Sequence, residues 1–221
     1  MIGGTYLAAT PQISYRRLLD ELTKRNFAVH TWSYVPGLDH QTQANQAWKD
    51  LRESREILQS RVGLLPLPIR LGHSLGCKLH LLAPDGGRNS KSFIALSFNN
   101  FSADRSIPML GKLSPRIGIH TEFSPSPKET MRLILERYFQ PHNLLINFEG
   151  DKLDQSSVLL RCLEQRDIDS SKSLQLQGDH LTPASAGLRE SILGTWADDA
   201  TKVRRLKKVA ESIYEWSANG L

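Results

Sequence analysis

The stretch 67-LPIRLGHSLGCKLHLL-82 joins two hydrophobic patterns of different period and places a serine between them. Residues 67–72 form a short apolar run, which predicts a buried strand. Residues 75–82 predict a helix that begins directly after that strand. Glycines stand two positions before and two positions after Ser74, where a tight turn leaves little space for side chains. The stretch therefore predicts a strand–turn–helix unit with the Ser74 hydroxyl at the turn.

Gly72 to Gly76 match the pattern G-x-S-x-G, the nucleophile elbow of the α/β-hydrolase fold. The rest of the chain agrees, because short β-rich runs alternate with helical stretches, as in parallel sheets with crossover helices. We predict an α/β-hydrolase fold, a mostly parallel sheet flanked by helices, in a single domain over residues 1–221. The predicted strands cover residues 27–34, 67–72, 92–98, 143–148 and 172–177. The predicted helices cover residues 14–25, 41–60, 75–82, 128–138, 156–166 and the rest of the C-terminus.

Residues 101–142 interrupt this alternation with a proline- and serine-rich segment that contains one predicted helix. A connection of this length is usually functional, and we interpret it as a short lid-like insertion over the strand ends. Its apolar side chains have two open interpretations: they line an apolar acyl pocket, or they only seal the lid to the sheet. These side chains are Phe101, Ile107, Met109, Leu110 and Phe123.

Composition narrows the class of protein. Hydrophobic residues make up 39% and charged residues 23% of the 221 residues, as in soluble globular proteins. No run approaches the roughly 20 apolar residues of a transmembrane helix, and we expect a cytoplasmic protein, or a plastid protein if the source is a plant. Cys77 and Cys162 lack metal-type spacing and are expected to be reduced. Nothing in the sequence predicts a metal or an organic cofactor.

Much of the basic charge lies in one C-terminal stretch, within a net charge of +5. Apolar residues recur there at helical spacing, which predicts an amphipathic helix with a basic outer face. We interpret this face as solvated, with weak docking to an anionic surface as the alternative. No motif predicts nucleic-acid binding. The basic residues are Lys202, Arg204, Arg205, Lys207 and Lys208.

A serine nucleophile needs a general base and a carboxylate that orients the base. In this fold the chain order is Ser, then Asp or Glu, then His, each on a loop after a strand. We predict that His180, in GDHLTP after the strand 172–177, is the general base. Asp151, in EGDKLD after the strand 143–148, is predicted to orient it. Asp154 is the alternative acid, although it also suits the cap of the next helix.

Two further features are predicted at the site. His40 competes with His180, because it follows the predicted strand 27–34 at the same sheet edge, and we predict that it is a rim or substrate contact. The oxyanion hole needs two backbone N–H groups. Leu75, directly after the nucleophile, is predicted to supply one of them, and Gly4 or Thr5 the other.

The N-terminus carries a physical anomaly. In this fold the strand that feeds the oxyanion loop is central, and here it would lie between the predicted strands 27–34 and 67–72. The sequence begins at Met1 and supplies almost none of that strand, which leaves buried backbone groups unpaired at about 1–3 kcal/mol each. We therefore expect that N-terminal strands are missing because the sequence is clipped. This hypothesis fails if the upstream in-frame codons encode no apolar strand.

Six stretches that cover most of the chain, in order, carry a family resemblance: IGGTYLAATPQISYRRLLDEL, GHSLGCKLHLL, SFNNFSADRSIP, EFSPSPKET, NLLINFEGDKLDQS and GDHLTP. They resemble the α/β-hydrolase-like family known as domain of unknown function 1350, which is found in cyanobacteria and plant plastids. The resemblance implies the α/β-hydrolase fold and a triad of Ser74, Asp151 and His180. It implies no substrate.

Together these residues predict a serine hydrolase of the carboxylesterase, lipase or thioesterase type. It would form an acyl-enzyme on Ser74 from a small-molecule ester or acyl substrate, and an acyltransferase would use the same residues. The alternative is a non-catalytic binding or scaffold protein that retains the fold, because a fold does not fix a function. The intact set of Ser, Asp and His favours the hydrolase.

Overall fold

A parallel sheet forms the centre of the computed structural model, which describes residues 1–5, 7–103, 122–184 and 200–218. Within these residues the sheet has four strands in the order β1-β2-β3-β4, and each strand pairs in parallel with the next. The parallel sheet predicted from the alternating pattern is confirmed. The strands are β1 (Ile69–His73), β2 (Ser92–Leu96), β3 (Asn143–Phe148) and β4 (Lys172–Leu176).

Helices connect the strands and cover both faces of the sheet. The predicted helix 14–25 is split in two, because Tyr15 leaves helical geometry (φ −112°, ψ 13°). Asp39 caps the long helix that follows by accepting a hydrogen bond from the Thr42 N–H. The helices are α1 (Pro11–Ser14), α2 (Arg16–Thr23), α3 (His40–Val62), α4 (Leu75–Leu81), α5 (Pro127–Arg137), α6 (Ser156–Leu163) and α7 (Ala200–Ala218).

Side chains of the central strands alternate between two apolar layers, as the strand period of two requires. Phe93 and Ala95 face a layer formed with α4, α5 and α6. Ile94 and Leu96 face a layer formed with α2 and α7. All five residues of β2 are buried, which explains its continuous apolar sequence. The sheet therefore gives the loops at its carboxyl edge a rigid base.

The predicted strand 27–34 forms a single bridge instead of a strand. Trp32 pairs in parallel with Ile2, and Ile2 also pairs with Gly72. Ile2 thus lies between Trp32 and β1, as predicted for the strand that feeds the oxyanion loop. The prediction of a full strand over 27–34 is wrong, because Met1 and Ile2 supply backbone partners for only one bridge.

The insertion over residues 101–142 lies partly within the described residues. Its helix α5 confirms the helix predicted for residues 128–138, shifted by one residue. Phe123 is buried and packs on the ring of His40, with 4.2 Å between the ring centroids. Three side chains of the expected acyl pocket lie outside the described residues: Ile107, Met109 and Leu110.

The C-terminal helix α7 is amphipathic, as predicted. It buries Leu206, Val209 and Ile213 in the same apolar layer as α2, whereas Arg204 and Lys207 are exposed. Docking of this basic face to an anionic surface stays a prediction. In the part of the chain that the structure describes, no helix is long and apolar enough to cross a membrane.

Candidate active site

Ser74 sits on a strained turn between β1 and α4. Its backbone has a positive φ of 54° with ψ −121°, a conformation that costs a non-glycine residue about 1–3 kcal/mol. A Cβ atom at Gly76 would lie 2.1 Å from the carbonyl oxygen of Ile2, and one at Gly72 would lie 2.7 Å from the backbone of Cys77. Both glycines are therefore required by close backbone approach, and the turn has the geometry of a nucleophile elbow.

Three loops at the carboxyl edge of the sheet bring the predicted triad together. His180 Nε2 lies 3.1 Å from Ser74 Oγ, and His180 Nδ1 lies 2.8 Å from Asp151 Oδ2. Because an ionised carboxylate only accepts hydrogen bonds, His180 Nδ1 carries the proton and Nε2 is free to accept the Ser74 hydroxyl. This arrangement allows His180 to take the proton of Ser74.

Asp151 is suited to remain ionised, although its side chain is fully buried. Burial acts to raise its pKa, but the hydrogen bond from His180, the nearby Ser97 hydroxyl and the Leu153 N–H together bring the pKa below its ordinary value. The Ser97 hydroxyl makes no hydrogen bond of standard geometry. A charged Asp151 fixes the tautomer of His180 and is placed to stabilise an imidazolium if His180 takes a proton.

Asp154, the alternative acid, serves the start of α6. Its carboxylate accepts hydrogen bonds from the Ser156 N–H at 3.0 Å and from the Ser156 hydroxyl at 2.6 Å. Burial raises the pKa of Asp154, in contrast to the lowered pKa of Asp151. Asp151 thus lies against the imidazole, whereas Asp154 lies one residue before Gln155, the N-cap of α6, and accepts from the first residue of that helix.

The oxyanion loop, residues 3–5, lies directly against Ser74. The N–H of Gly4, one of its predicted donors, already makes a hydrogen bond. A Cβ atom at Gly4 would lie 3.0 Å from Ser74 Cβ, whereas the Gly4 N–H donates to the Tyr15 hydroxyl at 2.8 Å. The Gly4 N–H is therefore already engaged, and of the two predicted donors, Gly4 or Thr5, this geometry favours Thr5. The Thr5 N–H has no hydrogen-bond partner among the described residues, and the Leu75 N–H lies in the first turn of α4, where N–H groups lack helical partners.

His73, the residue before the nucleophile, connects the two sides of the site. Its Nδ1 lies 2.7 Å from the Tyr15 hydroxyl and its Nε2 lies 2.8 Å from the carbonyl oxygen of His180. Since a carbonyl only accepts, Nε2 donates to His180 and Nδ1 accepts from Tyr15. Burial, followed by the nearby His180, lowers the pKa of His73 to about 3, so it is neutral. Sequence reasoning missed this contact, because it joins residues far apart in the chain.

Asn99 is the other residue that sequence reasoning missed. It follows β2, and its side-chain Nδ2 lies 3.0 Å from Ser74 Oγ. Its position in the sequence could have identified it. Asn99 is a polar residue that follows a buried strand, and that strand neighbours the strand of the nucleophile.

His40 does not occupy the rim predicted for it. Its side chain is 2% exposed, and burial, followed by the charge of Lys78, lowers its pKa to about 3. Within the described residues, neither ring nitrogen forms a hydrogen bond. The expected rim position is therefore wrong, since the ring lies inside the base of the insertion against Phe123.

The described residues contain no group of three or more His, Cys, Asp or Glu side chains that could hold a metal ion. Both cysteines, Cys77 and Cys162, are buried free thiols.

A profile of the family described as "Protein of unknown function (DUF1350)" matches residues 1–214. The chain belongs to the DUF1350 family. The family resemblance inferred from the six sequence stretches is thereby confirmed. No match was found among curated protein sequences.

Solved structures share the fold of this DUF1350 chain at low sequence identity. A monoacylglycerol lipase of Paleococcus ferrophilus is 15% identical, with 97% of this chain and 93% of that chain covered and a TM-score of 0.60. Carboxyl esterase 2 of Tuber melanosporum is 17% identical, with coverages of 97% and 75% and a TM-score of 0.60. The esterase domain of a Rhodothermus marinus protein is 15% identical, with coverages of 98% and 84% and a TM-score of 0.55. The predicted α/β-hydrolase fold is confirmed.

Proposed function

We propose that this chain is a serine hydrolase that cleaves ester bonds through an acyl-enzyme on Ser74. The observation that carries the proposal is the continuous hydrogen-bonded series from Ser74 Oγ through His180 to the buried Asp151. A serine on an ordinary surface turn needs neither a strained backbone nor a partner histidine. The structural neighbours described above, a lipase and two esterases, catalyse reactions of the same class.

The geometry supports a two-step reaction. Ser74 Oγ attacks the ester carbonyl as its proton passes to His180 Nε2, and the carbonyl π electrons move to the oxygen. The Leu75 and Thr5 N–H groups would stabilise that oxyanion. Collapse of the intermediate expels the alcohol, which takes the proton from His180. Water, deprotonated by His180, then releases the acid and restores Ser74.

Exposed apolar side chains beside the triad favour a substrate with an apolar part. Leu181, next to His180, is 57% exposed, and Leu153, two residues after Asp151, is 48% exposed. Apolar groups of a substrate that cover these side chains would strengthen binding, because apolar surface is removed from water. Carboxylesters, lipid esters and thioesters with acyl chains all fit this description, as small-molecule substrates.

The proposal is tested by reacting the folded protein with a fluorophosphonate probe and measuring the intact mass. One probe per chain is expected, and Ser74→Ala and His180→Ala should abolish labelling while circular dichroism melts show that both variants are folded. Esters and thioesters of increasing chain length then define the substrate, and an added alcohol acceptor separates a hydrolase from an acyltransferase. A folded wild-type protein that does not label would contradict the proposal and support the non-catalytic scaffold.

A further inference from the structure

Two groups contact the nucleophile oxygen, and a catalytic triad accounts for only one of them. Ser74 Oγ lies 3.1 Å from His180 Nε2 and 3.0 Å from the side-chain nitrogen of Asn99. The Asn99 amide approaches from the loop after β2, on the side of β1 opposite to Ile2. The nucleophile is therefore enclosed between the oxyanion loop and this amide.

The directions of the hydrogen bonds follow from the number of protons. His180 uses its Nδ1 proton for Asp151, so its Nε2 accepts the one hydrogen of the Ser74 hydroxyl. Ser74 Oγ then has only lone pairs left, and its second partner has to be a donor. Asn99 Nδ2 carries two protons and meets that requirement. Its donation orients the hydroxyl proton toward the base.

The backbone on both sides of Asn99 is held by one residue. The Gln155 N–H donates to the carbonyl oxygen of Phe98 at 2.7 Å, and the Gln155 side-chain oxygen accepts from the Asn100 N–H at 2.6 Å. Asn100 is anchored further by a 2.8 Å hydrogen bond from its side chain to the carbonyl oxygen of Pro127. Asn99 is thus fixed before substrate arrives, which is the condition for a donor to lower a reaction barrier.

We infer that Asn99 is a further catalytic residue of this site, an inference that rests on the proposed function. Before attack its amide orients the Ser74 hydroxyl. During attack the Oγ–carbon bond forms as the hydroxyl proton moves to His180, and the carbonyl π electrons move to the carbonyl oxygen, where the negative charge develops. The Asn99 N–H keeps its proton and holds Oγ in the orientation for attack, so that the hydroxyl proton points at His180 when the bond forms.

The test measures the first-order rate constant and the apparent affinity of fluorophosphonate labelling for three variants. Asn99→Leu has a similar size and no donor, and Asn99→Asp has the same shape and accepts instead of donating. Asn147→Leu is the control, because it removes an Asn side-chain hydrogen bond to Ser173 on β4, away from Ser74. Asn99→Leu should label roughly 10²-fold more slowly, the size of effect expected when a reacting group loses its alignment.

Asn99→Asp should be slower still, because its carboxylate competes with His180 for the hydroxyl proton. Both Asn99 variants should retain the wild-type probe affinity and melting temperature, and Asn147→Leu should label at the wild-type rate. Wild-type rate constants in folded Asn99→Leu and Asn99→Asp would overturn the Asn99 role while leaving the serine hydrolase intact. A loss confined to probe affinity would also overturn it. An unreactive wild-type protein would overturn the proposed function and the Asn99 role with it.

Discussion

The two sides of Ser74 are built by different means. On one side, the loops after β2, β3 and β4 start from strands that pair over four or five residues each. On the other side, the oxyanion loop follows a single bridging residue, Ile2. That loop is held by side chains: the Tyr15 hydroxyl accepts from the Gly4 N–H, and the Tyr34 hydroxyl donates to the carbonyl oxygen of Gly3.

The two kinds of support differ in how easily a single substitution removes them. A ladder of backbone hydrogen bonds is shared among many residues, so one substitution does not remove it. A side-chain hydrogen bond contributes only about 0.5–1.5 kcal/mol and is lost in one substitution. We therefore expect the triad side to lose function only when a reacting group is changed, and the oxyanion side to lose function when the remote Tyr15 is changed.

The largest effect is expected on the triad side, from Asp151→Asn. The amide cannot stabilise the imidazolium and favours the wrong tautomer of His180, so turnover of an ester substrate should fall about 10⁴-fold. Asp154→Asn is the matched control. It should keep wild-type turnover and lose about 1 kcal/mol of stability in urea, because its single amide oxygen replaces the two carboxylate oxygens that accept from Ser156. The reverse ranking of the two variants would assign the acid to Asp154.

A second, smaller effect is expected where the two sides meet, at His73. The folded protein keeps His73 neutral with a pKa of about 3, whereas the unfolded chain binds a proton below a pKa of 6.5. The unfolded state therefore gains the extra proton as the pH falls, and stability should drop by about 1.4 kcal/mol per pH unit between 6.5 and 3. The buried His40 has a pKa shifted in the same direction and should add a similar slope.

This pH dependence is measured by urea unfolding at a series of pH values. His73→Asn should reduce the slope of stability against pH in acid by the contribution of one histidine. An unchanged slope would show that protonation of His73 is not coupled to folding.

The smallest effect is expected from the oxyanion side, in Tyr15→Phe. This change frees the Gly4 N–H and leaves His73 Nδ1 without its donor. Ester turnover should fall about tenfold, the equivalent of one hydrogen bond. Tyr34→Phe is the control, because it removes only the hydrogen bond to Gly3. Tyr34→Phe should lower the free energy of unfolding by about 0.5–1.5 kcal/mol, the contribution of one hydrogen bond, with little change in turnover. Equal turnover in both variants would contradict a specific role for Tyr15.

The parts of the site that sequence could predict are those fixed by strand order. Ser74, Asp151 and His180 each follow a strand, and parallel strands bring their carboxyl ends to one edge. The glycines around Ser74 were predictable for the same reason, since the tight turn excludes side chains. Local pattern and topology therefore suffice for the triad.

The parts that sequence could not predict depend on side-chain contacts between distant residues. The hydrogen bond between Tyr15 and His73 joins residues 58 positions apart, and no periodicity records it. His40 was expected at the rim of the site because it follows the predicted strand 27–34 at the same sheet edge, yet its ring is buried against Phe123. The strand expected over 27–34 required a neighbour that only one residue, Ile2, supplies.

Acid-quenching the enzyme while it turns over a p-nitrophenyl ester shows whether Ser74 carries the acyl group during turnover. Peptide mass spectrometry should find one acyl group on the peptide that contains Ser74, at a level that falls when substrate is exhausted. The same quench of His180→Ala should show none. Ester hydrolysis by the folded protein with no acyl group on Ser74, or with the acyl group on another residue, would contradict the account.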